Sequence, residues 1–449
     1  MDFARSSTEL RTQLSSFLLV FPFVVLLFSP ALSAPGEISS SLEKTPIKKT
    51  LPNGLVVIFQ QDESTALTAL QIFIRGGTGD VPPGMDGLAY ITTRLSIEIP
   101  DRNTIQEIMR QASSISMDCR GDYSLITIKC LSKNLDETLK VAAKTLLNPL
   151  FSTIRITRNK EYMRYRRKAD EDNSIILAHN TQLRAFFGKD GYGSSLLGTE
   201  ESLKKIRRKD IEDYYAKHFT ARNTVIAVCS DLEEEDIMRT IEKFFADFTP
   251  KKPVESVMTK ISLPHEKNIL LEKETKQTYV SLTFPLPPAS RKNFVMTSFL
   301  ENLLGKGVNS KLWQLRSREK LAYNVNSHAV QMKAGGIIKA YLETENEKKE
   351  KALQSLKEIL ISLHEEGITE KEFEETKVST RAHFLRLNET KAMRAANLAY
   401  FETVGLGYDF LIIFFSELEK LSYEEINSFI KQTLDPKKSV EVIIGPELK

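Results

Sequence analysis

Zinc and most catalytic metals are held by Cys, His, Asp and Glu, so the histidines and cysteines come first. His179, His218, His265, His328, His364 and His383 are scattered, and no two stand four residues apart on one helical face. Cys119, Cys130 and Cys229 match no metal-ligand spacing. They read as small buried hydrophobes, with one disulfide between Cys119 and Cys130 as the alternative. A self-contained His-based zinc site is therefore excluded. The Gly-rich pieces "GGTG" (76–79) and "GKG" (305–307) lack the strand, loop and helix spacing of a nucleotide site. Lys and Arg outnumber Asp and Glu by only 62 to 59, which gives no electrostatic case for nucleic acid. The basic runs "RYRRK" (164–168) and "KKIRRK" (204–209) read as solvated helix faces rather than as contacts for an anionic partner.

The elements that would position any site fall into two matching sets. "LQIFIRGG" starts at 70 and alternates like a half-buried strand; "YVSLTFPLPP", 209 residues later at 279, does the same. The amphipathic helix "ETLKVAAKTLL" leads to a helix start "ITRNKEYM" at 156. "KALQSLKEILISLHEEG" leads to "ITEKEFEE" at 368, 212 residues on. Each half closes on a strand and turn, "NTVIAVCSD" reaching Ser230 and "SVEVIIGP" reaching Gly445, 215 apart. Offsets that drift so little point to duplication. The reading is two homologous α+β domains, at 40–250 and 255–449, with a polar boundary in "TPKKPVESV" (249–257). "FLIIFF" (410–415) is too short to span a bilayer and reads as buried helix, so no stable membrane span is expected. "NET" (388–390) is a sequon that matters only if the host glycosylates.

Ahead of these domains, Arg5 and Arg11 precede "FLLVFPFVVLLFSPAL", then the small residues "ALSA" and the turn-prone "PGE". This is the pattern of a secretory signal, 1–34, cut near Ser33 or Ala34. Pro22 interrupts the apolar stretch, and an uncleaved anchor is the alternative. The expected location is exported, periplasmic or secreted.

The strand, "GG", "DVPPGMDGLAY", a helix, then "NPLF" and "YGSSLLGTEESLKKI" together resemble the insulinase/pitrilysin peptidase family, in its smaller mitochondrial-processing type. "GKGVNSKLWQLRSREKLAYNV" in the second half is similar to that family's second signature, and the similarity spans the mature chain. The resemblance implies a metalloenzyme LuxS/processing-peptidase-like fold, with an antiparallel-rich sheet packed with helices in each domain. Family enzymes carry H-x-x-E-H on a helix, with two His on zinc and the Glu on the attacking water. Anchored on "GLA", those positions match Tyr90, Thr93 and Arg94. The third ligand, a Glu from a later helix, matches Arg166, or Tyr165 if the alignment shifts by one. Every ligand is replaced, and an arginine repels Zn²⁺ and cannot be deprotonated.

The family's other pair persists. Arg316 and Tyr323 match an Arg and a Tyr that bind substrate backbone and stabilise the oxyanion at a facing zinc site. Lys320 departs from the pattern, which has Gly just before "LAY", and puts the local turn in doubt. The resemblance thus implies the non-catalytic subunit of a secreted heterodimeric zinc peptidase. Zinc would sit in an H-x-x-E-H partner, and a peptide or unfolded protein would be the substrate. A pseudo-peptidase scaffold or peptide-binding module, like the respiratory-chain core subunits that share the fold, is the alternative. An inactive homodimer is a third.

Overall fold

The structure is a computed structural model that describes residues 44–253 and 268–447. The expected leader (1–34) and residues 254–257 of the expected boundary lie outside the described residues. Strands β1 (Ile47–Thr50), β2 (Val56–Gln61), β3 (Leu67–Arg75), β4 (Ser114–Cys119), β5 (Tyr123–Leu131) and β6 (Thr224–Ser230) form one sheet in the order β1-β2-β6-β3-β5-β4. Strands β7 (Asn268–Glu272), β8 (Thr278–Leu286), β9 (Asn324–Met332), β10 (Gly335–Thr344) and β11 (Val440–Gly445) form another, β7-β11-β8-β10-β9. Only β2 with β6 and β7 with β11 run parallel; every other pair is antiparallel. With β1 set aside, the two sheets share one order and one set of directions. The repeat read in the sequence is therefore a repeat of topology.

Helices of the first half are α1 (Leu88–Ser96), α2 (Arg102–Arg110), α3 (Leu135–Leu147), α4 (Thr153–Glu171), α5 (Ser174–Phe187), α6 (Glu200–Lys205), α7 (Arg208–His218) and α8 (Glu234–Phe245). Those of the second are α9 (Arg291–Gly305), α10 (Trp313–Ser317), α11 (Lys349–Glu365), α12 (Glu370–Arg386), α13 (Lys391–Val404), α14 (Phe410–Glu419) and α15 (Tyr423–Thr433). "FLIIFF" is indeed buried helix, with Phe410, Leu411 and Phe414 in the core.

The central strands are largely apolar on both faces because both faces are covered, with a few buried polar side chains such as Gln71 and Lys339 among them. On β3, Leu70, Ile72 and Ile74 pack under the first half's own helices, beside Leu88 and Leu139. Phe73 points the other way, into the core of the second half, with Val225 and Ala227. The helix lying on that opposite face is α13, from the second half. The reverse also holds: α5, from the first half, lies on β8 and β11, where Ala178, Phe186 and Phe187 join Tyr279, Ile337, Val440 and Val442. Each half lends a helix to the other's sheet. A buried Phe is worth about 1.5–3 kcal/mol, so separating the halves would expose a large apolar area. The described residues accordingly fall in one compact unit.

Polar anchors secure both loans. Gln182 Nε2 on α5 donates to Ser281 Oγ on β8 at 2.8 Å. On α13, Lys391 Nζ donates to the carbonyls of Thr65 and Leu67 at 2.5 and 3.0 Å, and Arg394 forms a buried ion pair with Asp62.

Candidate functional site

The helix that should carry metal ligands starts on Gly87, whose φ of +86° favours a residue without a side chain. A Cβ there would also sit 2.9 Å from the Gly198 amide nitrogen. Of α1's nine residues, only Arg94 is more than marginally exposed. Burying a polar helix demands internal partners, and the hydroxyls of Thr92 and Ser96 donate to carbonyls one turn back at 2.8 and 2.7 Å. Thr93, which the resemblance matches to the water-activating Glu, is 0% exposed. Its Oγ1 lies 2.8 Å from both the Ala89 carbonyl and Ser124 Oγ on β5, sealed away from any substrate.

Helix α4 brings Asn159, Tyr162 and Arg166 along one face toward α1. Arg94 Nε donates to Asn159 Oδ1 at 2.7 Å, and the Arg94 guanidinium lies 3.8 Å over the Tyr162 ring. Asn159 is itself fixed, donating to Glu98 Oε2 and the Arg155 carbonyl, both at 2.9 Å. Arg166 Nη1 donates to Tyr162 Oη at 3.2 Å, and its Nη2 lies 3.7 Å from Asp170. Arg166 is therefore the residue that joins this group, while Tyr165 is 73% exposed. Burial pushes the Tyr90 phenol up, the neighbouring Tyr162 adds to this, and Arg94 and Arg166 oppose it. Tyr90 therefore carries a proton near neutral pH.

Two guanidiniums, a protonated phenol and a threonine do not fit a Zn²⁺ ion, whose ligands must present lone pairs and compensate its charge. Among the described residues, no group of three His, Cys, Asp or Glu side chains could hold a metal. The cysteines are free and buried. Burial pushes the Cys119, Cys130 and Cys229 thiols up to about 12, 11 and 12, so they carry their protons near neutral pH, and their side chains are closed off from solvent. The Cys119–Cys130 disulfide does not form. Cys119 stands opposite Ser124 at one end of the β4–β5 hairpin, and Cys130 lies past Lys129, the partner of Ser114, at the other. The separation is about 20 Å at strand rise, far beyond disulfide reach.

The second signature is arranged differently. Leu312 and Leu315 anchor the short α10 in the core, and Leu321 N donates to the Leu315 carbonyl at 2.8 Å to close the turn into β9. Lys320 takes a φ of +52°, the left-handed conformation that the expected Gly would adopt. The doubt raised by Lys320 is settled at the backbone: the turn has the glycine-type shape, built with a strained lysine. Arg316 Cζ then lies 5.1 Å from the Trp313 ring centroid and 5.8 Å from that of Tyr323. Tyr323 is 75% exposed, and its backbone N–H donates to the Glu343 carbonyl at 3.1 Å. No carboxylate pairs with Arg316 among the described residues. A guanidinium and a phenol side by side at the surface can donate hydrogen bonds to a carbonyl or to an oxyanion.

Asn159, Tyr162 and Trp313 were not singled out from the sequence. Helical spacing carried the signal, since Tyr162 and Asn159 stand four and seven residues before Arg166, and Trp313 three before Arg316. The basic runs lie on helix faces where several side chains are also ion-paired, which the sequence did not indicate: Arg164 with Glu200, Lys205 with Glu201, Arg208 with Glu212, and Lys209 with Asp213.

Two family models match the chain, "Insulinase (Peptidase family M16)" over residues 56–200 and "Peptidase M16 inactive domain" over 205–379. A Bacillus subtilis protein named "Uncharacterized zinc protease YmxG" is 22% identical over 390 residues, covering 85% of this chain and 94% of its own. "Non-peptidase homolog YmxG" of Helicobacter pylori is 24% identical over 381 residues, covering 84% and 88%. A crystal structure of a peptidase M16 inactive domain from Pseudomonas fluorescens superposes with a TM-score of 0.81 at 20% identity, covering 90% of this chain and 98% of that one. A protease structure from Helicobacter pylori gives 0.78 at 18% identity, covering 90% and 100%.

Proposed function

This chain belongs to the insulinase (M16) peptidase family, and from that premise we propose that it is the non-catalytic subunit of a secreted heterodimeric zinc peptidase. The partner supplies H-x-x-E-H and the zinc. This chain supplies half of the peptide chamber together with Arg316 and Tyr323. The observation that carries the reading is the contrast between its two signatures. One has lost every metal ligand and turned its Glu position into buried packing. The other keeps Arg316 and Tyr323 side by side at the surface. The relative named a non-peptidase homologue supports the same view, although another is named a zinc protease. The signal-like N-terminus supports export, to the periplasm or beyond, and among the described residues no helix is long and apolar enough to cross a membrane.

Hydrolysis at zinc develops negative charge on the former carbonyl oxygen, and donors already in place lower that barrier. Arg316 offers permanent charge in a fixed plane, and Tyr323 offers one more donor. The test recovers the partner by pull-down with the mature chain, then mixes it with Arg316→Ala or Tyr323→Phe. Complex mass should be unchanged while kcat falls about 10²–10³-fold, the usual loss for one oxyanion donor. Equal activity of both variants and wild type would reduce the pair to fold residues and favour a scaffold.

A further inference from the structure

The residues that stand in the lost metal motif are organised, and their organisation points to a ligand. A guanidinium has five N–H donors on three nitrogens. Arg94 commits Nε to Asn159 and one face of its guanidinium plane to the Tyr162 ring. Among the described residues, its two Nη atoms have no hydrogen-bond acceptor, and no carboxylate lies within ion-pair reach. The neighbouring arginines differ: Arg158 pairs with Glu98, Arg164 with Glu200, Arg166 with Asp170, and Arg167 with Glu171. Arg94 is half-buried on a helix whose other residues are almost all buried. Its Nη atoms remain in contact with water, so a ligand can reach them.

The guanidinium is also held still. Asn159 is buried and locked by Glu98 and the Arg155 carbonyl, and the Tyr162 ring fixes the plane from one side. A donor edge fixed in advance loses less freedom on binding. The edge left over, Nη1 and Nη2 side by side, matches the two oxygens of a carboxylate. Around it, α4 carries seven basic side chains against three acidic ones, so the helix itself has a net positive charge, although four of its arginines are ion-paired. Carboxylates beside this group are already engaged, Glu98 by Asn159 and Arg158, and Asp170 by Arg166.

We propose that Arg94, set by Asn159 and Tyr162 and supported by Arg166, is a binding site for a peptide carboxylate, occupying the place where this family holds its metal. The site would grip either a peptide's C-terminal carboxylate or the side chain of an Asp or Glu. It rests on membership of a peptidase family, and not on Arg316 and Tyr323 acting in a partner's site.

The purified chain is titrated calorimetrically with three probes: Ac-Ala-Ala-Ala-OH, the same peptide as its C-terminal amide, and Ac-Ala-Asp-Ala-NH2. At least one carboxylate peptide should bind about tenfold more tightly than the neutral amide, as expected for a charged bidentate contact. Whether the free acid or the Asp peptide does so tells which carboxylate is taken. Arg94→Gln should erase the preference, with a thermal melt reporting that the fold is kept. Should Arg94→Gln fail to fold, Arg94→Lys retains the charge without the planar edge and should lose most of the preference. Equal binding of the three peptides by wild type would overturn the proposal. So would a preference that survives in a folded Arg94→Gln, or that is undiminished in Arg94→Lys. Inorganic phosphate, titrated as a fourth probe, would overturn it as well if it bound more tightly than either carboxylate peptide. Because binding is read on this chain alone, its failure leaves the kcat test of the heterodimer untouched, and the converse holds.

Discussion

The two halves follow one chain path, yet they treat their functional segments in opposite ways. In the first half, α1 has become nearly all interior, with Thr93 bonded inward to Ala89 and Ser124. It now packs much as α9 does at the corresponding place in the second half, where Val295, Phe299 and Leu303 fill the core. In the second half, α10 keeps Leu312 and Leu315 inside and leaves Arg316 and Tyr323 outside. A helix relieved of metal binding is free to be packing material. A surface pair with no structural duty has no such reason to remain, which is why its presence argues for use. The exchanged helices differ too. The loan of α13 rests on charge, through Arg394 and Lys391, whereas α5 rests on Gln182 and two buried phenylalanines.

That asymmetry can be broken from either side. Arg394→Met leaves the Asp62 carboxylate buried without its main counter-charge, and urea unfolding should show a loss of about 3–5 kcal/mol. A loss under ~1 kcal/mol would mean that the charged anchor is idle. The pair also predicts a pH dependence. Burial pushes the Asp62 carboxyl up, but hydrogen bonds from Ser64 and the charges of Arg394 and Lys391 outweigh this and hold it below the usual carboxylate range. A group depressed in the folded state adds stability above its unfolded value, roughly pH 4. That contribution is lost as pH falls through the folded value. Without Arg394 the carboxyl rises, so acid unfolding should begin at higher pH than in wild type. Coincident acid transitions would contradict this.

On the other side, Gln182→Leu removes a neutral hydrogen bond while Ser281 Oγ keeps the Val442 carbonyl at 3.4 Å. The expected cost is about 1 kcal/mol. A cost equal to that of Arg394→Met would erase the distinction between the two loans. The smallest effect is at the surface signature. Lys320→Gly relieves a left-handed lysine, worth about 1 kcal/mol, against the extra freedom glycine brings to the unfolded chain. Stability should change by about 0 to 1 kcal/mol in the favourable direction, read by thermal melting. A clear loss would show that Lys320 has a contact that offsets its backbone.

Much of this was legible in the chain. β3 and β8, α4 and α12, β6 and β11 lie where periodicity placed them, since alternation and 3.6-residue repeats are local properties. The match of Tyr90, Thr93 and Arg94 to the family's metal-motif positions came from the resemblance anchored on "GLA", and helical spacing accounts only for Tyr90 and Arg94 sharing a face. The sequon was legible only as a pattern. Asn388 is 1% exposed and donates to the Phe384 carbonyl at 2.8 Å, so it offers no surface for a glycan in the folded chain.

The sequence by itself determined the repeated order of strands and helices, the absence of a His-based metal set, and the spacing of Arg316 from Tyr323, because each depends on residues close together in the chain. Only the tertiary structure decided that α5 and α13 cross to the opposite sheets. Only it set Arg94 between Asn159 and Tyr162, 65 and 68 positions further along the chain. An amphipathic helix specifies that one face must be buried but not against what. That choice belongs to the packing of the whole chain, where apolar area is removed from water without regard to distance in sequence.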